Sequence, residues 1–126
     1  MPVLAVVPDL YFATRIAATA KAAGVDLELV TPQRAKLRLS EPGVTLVILD
    51  LQDAAAAALV AELKRAVPTV PVVGFFSHVE TQLQRDALAA GADAVLPRSQ
   101  FVGKLAALLE RGLKALERPE REDLRL

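Results

Sequence analysis

VTLVILDLQD, residues 44–53, is aliphatic from Leu46 to Leu49 and then meets a carboxylate, Asp50. A short, nearly continuous apolar run without alternation fits a strand covered on both faces, as a central strand of a parallel sheet is. An acid at the end of such a strand is either a cap in the turn before the next helix or a reactive group held out by a rigid support. The residues on either side decide between them.

Downstream, DAAAAALVAELKRAV predicts a helix with Asp53 as its N-cap. Its alanines favour helix intrinsically, Leu59, Val60 and Leu63 supply an apolar contact, and Pro68 stops it. PVVGFF then reads as a strand, VETQLQRDALAAG as a helix closed by Gly91, and ADAVLP as a short strand cut by Pro97. FVGKLAALLERGLKALE predicts the longest helix, with Phe101, Leu105, Leu108, Leu109, Gly112 and Leu116 on one face and Lys104, Arg111 and Lys114 opposite. Its apolar arc, with Val102 and Leu113, reads mostly as core.

Upstream, Val3 to Val7 reads as a buried strand stopped by Pro8-Asp9. LYFATRIAATAKAAG follows as a helix with Phe12, Ile16, Ala20 and Ala23 at helical spacing and Gly24 as its stop. Leu27 to Val30 is a weaker, more polar run suited to a sheet edge, and Pro32 to Ser40 is a basic, poorly patterned connection with room for a short helix. Strands alternating with helices through five units predict an α/β domain with a parallel sheet and right-handed crossovers, a three-layer sandwich. In such a sheet the ligand site lies beyond the carboxyl ends of the strands. Asp9, Asp50, Phe76-Ser77 and Arg98 all fall just past expected strand ends.

Composition narrows the chemistry. A chain of 126 residues is about one domain, expected over residues 1–118, with a charged tail, 119–126, behind Pro119. Without Cys there is neither a disulfide nor a thiolate metal site, and a reducing, cytoplasmic setting is the expectation. Lys plus Arg and Asp plus Glu stand at 15 each, so no basic excess supports nucleic-acid binding by this chain alone. No apolar run approaches the length of a membrane span. With a single His, any metal is expected to be a hard cation held by oxygens, Mg²⁺ foremost.

VILDLQD, PVVGFFSH and AGADAVLPRSQF together make the chain resemble the receiver domain of two-component response regulators, the CheY-like superfamily. The resemblance runs through essentially the whole chain, and AAGADAVLP is its most specific part. It implies a flavodoxin-like (βα)5 fold with strand order 2-1-3-4-5 and Asp50 as phospho-acceptor. It also implies Mg²⁺ held by Asp9, Asp50 and the backbone carbonyl of Gln52. A histidine kinase or other signalling protein is then the expected partner, and the fourth helix, fifth strand and fifth helix the expected signalling or homodimer face.

Against that pattern the chain departs at several positions. Pro8 stands where the family has a second acid, Arg98 where it has a lysine, and Val95 where it has an aromatic residue. Phe76, counted back from Arg98 in the family register, stands where it has the switch hydroxyl. A bulge at Gly74 would shift the register and bring Ser77 to that place instead. Asp9 fits both a Mg²⁺ carboxylate and the N-cap of the first helix. Arg98 fits both a fork-shaped ion pair with Asp50 and an exposed residue before the last helix. His78, in the following loop, has no partner to make it a base. The expectation is a stand-alone, non-enzymatic receiver-like domain, a pseudo-receiver or a phosphorelay shuttle. The alternative is a small-molecule binder or enzyme on the same fold, although PDLYFAT is bulky where a phosphate-binding loop needs glycines and hydroxyls.

Overall fold

The computed structural model describes residues 2–52, 54–77 and 81–116. Strand β1 (Val3–Val6) leads into helix α1 (Leu10–Ala23), β2 (Leu27–Leu29) into α2 (Pro32–Leu39), and β3 (Leu46–Asp50) into α3 (Ala54–Ala66). Then β4 (Val72–Phe76) leads into α4 (Thr81–Ala89) and β5 (Ala94–Pro97) into α5 (Arg98–Arg111), which continues as a 3₁₀ turn over Gly112–Leu116. All strand pairs are parallel and the order is β2-β1-β3-β4-β5, the flavodoxin-like arrangement. The chain lays β2 on one side of β1 and then crosses to the other side to begin β3. The switch point thus falls between β1 and β3, where Asp9 and Asp50 emerge.

Strand β3 shows why its sequence has no alternation. Leu46 and Ile48 enter the core between the sheet and α1 and α5, with Phe12, Ile16, Phe101 and Leu105. Val47 and Leu49 enter the core on the opposite face, with Ala35, Leu59, Val60, Leu63 and Ala87 from α2, α3 and α4. Both sides of one strand are therefore dry.

Helix ends follow local chemistry. The Asp9 side chain accepts from the Phe12 N–H to start α1, and Gly24, at φ 71°, ends it. Helix α2 begins at Thr31, whose hydroxyl oxygen accepts from the Arg34 N–H, with Pro32 in the first turn. Arg38 ties α2 to the edge strand: its Nε and Nη2 donate to the two carboxylate oxygens of Glu28 at 3.0 and 2.7 Å.

Two boundaries differ from the sequence expectation, both in α5. Helix α5 starts at Arg98, three residues before Phe101, because Pro97 can sit just ahead of a first turn without losing a needed donor. It ends at Gly112, whose φ of 64° interrupts the expected run to Leu116, so α5 matches α1 at 14 residues and does not exceed it. Helix α4 is described over Thr81–Ala89, within the stretch expected to be helical. The Asp53 cap, His78 and the tail 119–126 lie outside the described residues. Among the described residues, no helix is long and apolar enough to cross a membrane.

Candidate functional site

Asp50 is the last residue of β3 and pairs in register with Phe75 of β4, so its direction is set by two central strands. It is 9% exposed and is the polar residue buried at the top of the sheet. Gln52 Nε2 donates to its Oδ2 at 3.2 Å. Burial pushes the Asp50 carboxyl above the usual carboxylate range; the Arg98 charge opposes the rise, the Asp9 charge adds to it and the Gln52 hydrogen bond opposes it.

Asp9 follows β1 and is occupied at both carboxylate oxygens. Oδ1 accepts from the Phe12 N–H at 3.2 Å, and Oδ2 accepts from Arg98 Nη2 at 3.3 Å. The Phe12 N–H holds its pKa below the ordinary value; slight burial opposes this, and Arg98 adds to the lowering. Asp9 is therefore the helix cap, one of the two roles that its position suggested.

Arg98 pairs with Asp9 and has no hydrogen bond to Asp50. The reason lies in the start of α5. As the first residue of that helix, Arg98 lays its guanidinium over the Phe12 ring, 4.1 Å from the centroid, and this carries Nη2 to the cap of α1. Its Nε is buried with no hydrogen-bond partner.

Phe76 is half-buried and packs, with Val95, against the core on the α2–α3–α4 face. The β4–β5 register runs from Val73–Ala94 through Gly74–Val95 and Phe75–Leu96 to Phe76–Pro97 without an extra residue, so no bulge occurs at Gly74. Ser77 is the exposed residue that follows. Gly74 serves a different purpose: a Cβ there would stand 2.8 Å from Leu51 Cδ1. The missing side chain lets the residue after Asp50 lie against β4.

Two separate cavities open at this end of the sheet. One, of about 380 Å³, is lined by Asp50, Pro8 and Gln52 together with Gln33 and Lys36 of α2. The other, of about 650 Å³, lies between the starts of α1 and α5 and is lined by Asp9, Arg98, Tyr11, Arg15, Phe76 and Ser77, among others. They share no lining residue. The sequence positions are thus brought to one end of the sheet but divided: Asp50 and Gln52 border one cavity, Asp9, Phe76, Ser77 and Arg98 the other, and Val95 packs, partly buried, against the core.

The donor set fits Mg²⁺ poorly. No group of three His, Cys, Asp or Glu side chains comes together among the described residues. Pro8 lines the Asp50 cavity without offering a side-chain oxygen, and the Asp9 carboxylate already faces an N–H and a guanidinium. Two carboxylates so committed make at most a weak site.

Sequence reasoning passed over Lys36, Arg15 and Tyr11. Thr31-Pro32 is a cap followed by a first-turn proline, and it would have placed α2, with Lys36 on it, beside the central strand. For Arg15 and Tyr11 the sequence carries no such signal, because an exposed helical face looks the same whether or not a cavity opens beside it.

No protein-family model matches the sequence, and a comparison with curated proteins finds no match. Solved structures do share its fold. The chain is similar to a CheY-like response regulator receiver domain protein from Methanospirillum hungatei JF-1, at TM-score 0.73 and 16% identity over 90% of this chain and 96% of that one. It is similar to a response regulator from Thermotoga maritima at TM-score 0.73 and 20% identity, covering 91% and 96% of the two chains. The receiver domain of NtrX from Brucella abortus matches at TM-score 0.75 and 22% identity, covering 89% and 98%. The fold is that of receiver domains.

Proposed function

We propose that this chain is a receiver-like signalling domain that acts by protein–protein contact and not by catalysis, with Asp50 in the phospho-acceptor position of an incomplete site. The shared fold supports the receiver reading. The observation that carries the qualification is the Arg98–Asp9 ion pair, 3.3 Å long, which commits both the cation and the acid that would otherwise serve a phosphoryl group at Asp50.

Phosphoryl transfer to a carboxylate depends on positioned charge around the incoming oxygens rather than on much covalent chemistry by the protein. Here the lysine position holds a guanidinium directed elsewhere, the hydroxyl position holds the Phe76 ring and the aromatic position holds Val95. Burying the Phe76 ring stabilises by roughly 1.5–3 kcal/mol, similar to the ~1.5–3 kcal/mol of a hydrogen bond to a charged group. The packing of a switch position is retained while its response to phosphate is lost. The domain then presents one constant surface, a pseudo-receiver, to a histidine kinase or another signalling protein. The α4–β5–α5 face is the surface we assign to partner contact or homodimerisation: β5 is an edge strand, and Leu88 of α4 is an exposed apolar residue.

Incubation with Mg²⁺ and a small phosphodonor, read by intact mass, tests this. No mass gain is expected under conditions that phosphorylate a control receiver. A stoichiometric gain that Asp50→Ala removes would replace the pseudo-receiver with a phosphorelay shuttle.

A further inference from the structure

We propose that the cavity between α2 and α3 binds a small organic cation, with an ammonium head that donates to Asp50 Oδ1 and a compact aliphatic body that lies against α3. At about 380 Å³ the cavity is within the roughly 300–1,000 Å³ of small-molecule sites. It owes its existence to alanine. Ala55, Ala58, Leu59 and Glu62 stand at i, i+3, i+4 and i+7 of α3, one face of that helix, and line the cavity together with Gln33 and Lys36 of α2. Glu62 pairs with Lys36 at 2.8 Å and so ties the two helices at one level. Towards the start of α3, methyl groups at positions 55 and 58 are too short to fill the space that this spacing leaves. Val6, Pro8 and Leu49 add apolar wall from the end of the sheet.

An independent observation points to a missing donor. Asp50 is 9% exposed, yet it accepts one hydrogen bond among the described residues, from Gln52 to Oδ2; Oδ1 accepts none. An ionised carboxylate has about four acceptor sites, and a buried one ordinarily has a cation beside it. The cations around Asp50 are engaged elsewhere. Arg98, whose charge acts on it, is paired with Asp9, and Lys36, on the cavity wall, is paired with Glu62. Within the cavity Lys36 and Glu62 cancel, so Asp50 leaves a single uncompensated negative charge. Mg²⁺ would need an octahedral set of oxygens, which one free carboxylate oxygen does not supply. An organic ammonium needs only that oxygen, and its body gains from the apolar walls.

Amide NMR titrations at neutral pH and constant ionic strength test it, with cyclohexylmethylammonium, its neutral counterpart cyclohexylmethanol, cyclohexanecarboxylate and Mg²⁺. They use the protein without a phosphodonor, so their outcome is independent of whether Asp50 accepts phosphate. The expected result is saturable shifts with the ammonium at the amides around Gln33, Lys36, Asp50, Gln52 and Glu62, and no saturation with the carboxylate. The alcohol should bind at least about tenfold more weakly, the least that one charge-assisted hydrogen bond supplies. Asp50→Asn, which keeps the shape of the side chain, should bring the ammonium down to the affinity of the alcohol. Ala58→Leu, at an exposed position where leucine is nearly as good a helix former, should fill the cavity and abolish binding of both while the spectrum stays that of the folded protein. Absence of saturation with the ammonium, equal affinity for ammonium and alcohol, shifts centred on Tyr11, Arg15 and Arg98, or indifference to Asp50→Asn or Ala58→Leu would each overturn the proposal. Displacement of the ammonium by millimolar Mg²⁺ would also overturn it, by making the site a metal's.

Discussion

Replacing Gly74 by alanine puts one methyl group into the contact that shapes the chain after Asp50. A Cβ at position 74 meets Leu51 Cδ1 at 2.8 Å, Cγ at 3.0 Å and Cδ2 at 3.1 Å. Carbon atoms in favourable contact stand about 3.5–4.0 Å apart, so the Leu51 isobutyl group has to retreat by about 0.7 Å or more. It has little room, because Leu51 is 3% exposed and belongs to the core cluster that includes Leu49, Leu59 and Val72. Overpacking of this kind costs about 1–3 kcal/mol. Alanine returns roughly 0.4–1 kcal/mol by restricting the unfolded chain, which leaves a net destabilisation of about 1–2 kcal/mol. For a domain of this size the corresponding fall in Tm is on the order of 3–10 °C. Urea and thermal unfolding of Gly74→Ala, Leu51→Ala and the double variant measure it. Leu51→Ala alone should cost about 2–5 kcal/mol, and in its background Gly74→Ala should cost close to nothing. Equal or greater stability of the single Gly74→Ala variant, or an undiminished loss in the Leu51→Ala background, would refute the close-approach reasoning.

Asp50→Asn should stabilise the protein at neutral pH. The folded-state pKa of Asp50 is raised, so ionising it in place is unfavourable. This penalty is absent below the unfolded value of 3.8, grows as pH rises and is complete above the folded pKa. Denaturation curves of the two proteins should therefore converge at acid pH, and a constant difference across the range would contradict the burial argument. Arg98→Gln should raise the Asp9 pKa yet leave it below the ordinary carboxylate value, because the Phe12 N–H remains; carboxyl carbon NMR reads it, and an unchanged Asp9 titration would remove Arg98 as its partner. As the Asp9 pKa is lowered on folding, its contribution to stability is present above 3.8 and is lost as pH falls through the folded value. Arg98→Lys should behave like Arg98→Gln in ring-current shifts of Phe12, since an ammonium cannot stack as a planar group does. Millimolar Mg²⁺ should leave Tm unchanged, whereas saturation at 100 times Kd would add about 2.7 kcal/mol of stability.

Aliphatic runs without alternation located β1, β3 and β4, because burial on both faces leaves a strand no choice of residue type. The order of the strands was legible only through resemblance, since periodicity says which faces are apolar and nothing about which neighbour covers them. At the site, the positions of Asp9, Asp50 and Arg98 followed from where strands end, but the partnership did not. Whether Arg98 reaches Asp50 or Asp9 depends on the first turn of α5 beginning at residue 98 and on Phe12 lying beneath the guanidinium, a contact between residues far apart in the chain. Gly74 makes the same point. In sequence it left a bulge, with Ser77 in place of Phe76, as the alternative to an uninterrupted register, since a glycine within a strand signals either a bulge or a close approach. The unbroken β4–β5 register and the Leu51 side chain select the close approach. Without a bulge Phe76, not Ser77, ends β4, and at the polar end of the sheet Asp50 lines one cavity and Arg98 another. The packing was thus the readable part of the fold, because local composition is informative there. The arrangement at the end of the sheet depends on the meeting of side chains from four different strand ends, and there a local stretch of sequence reports least.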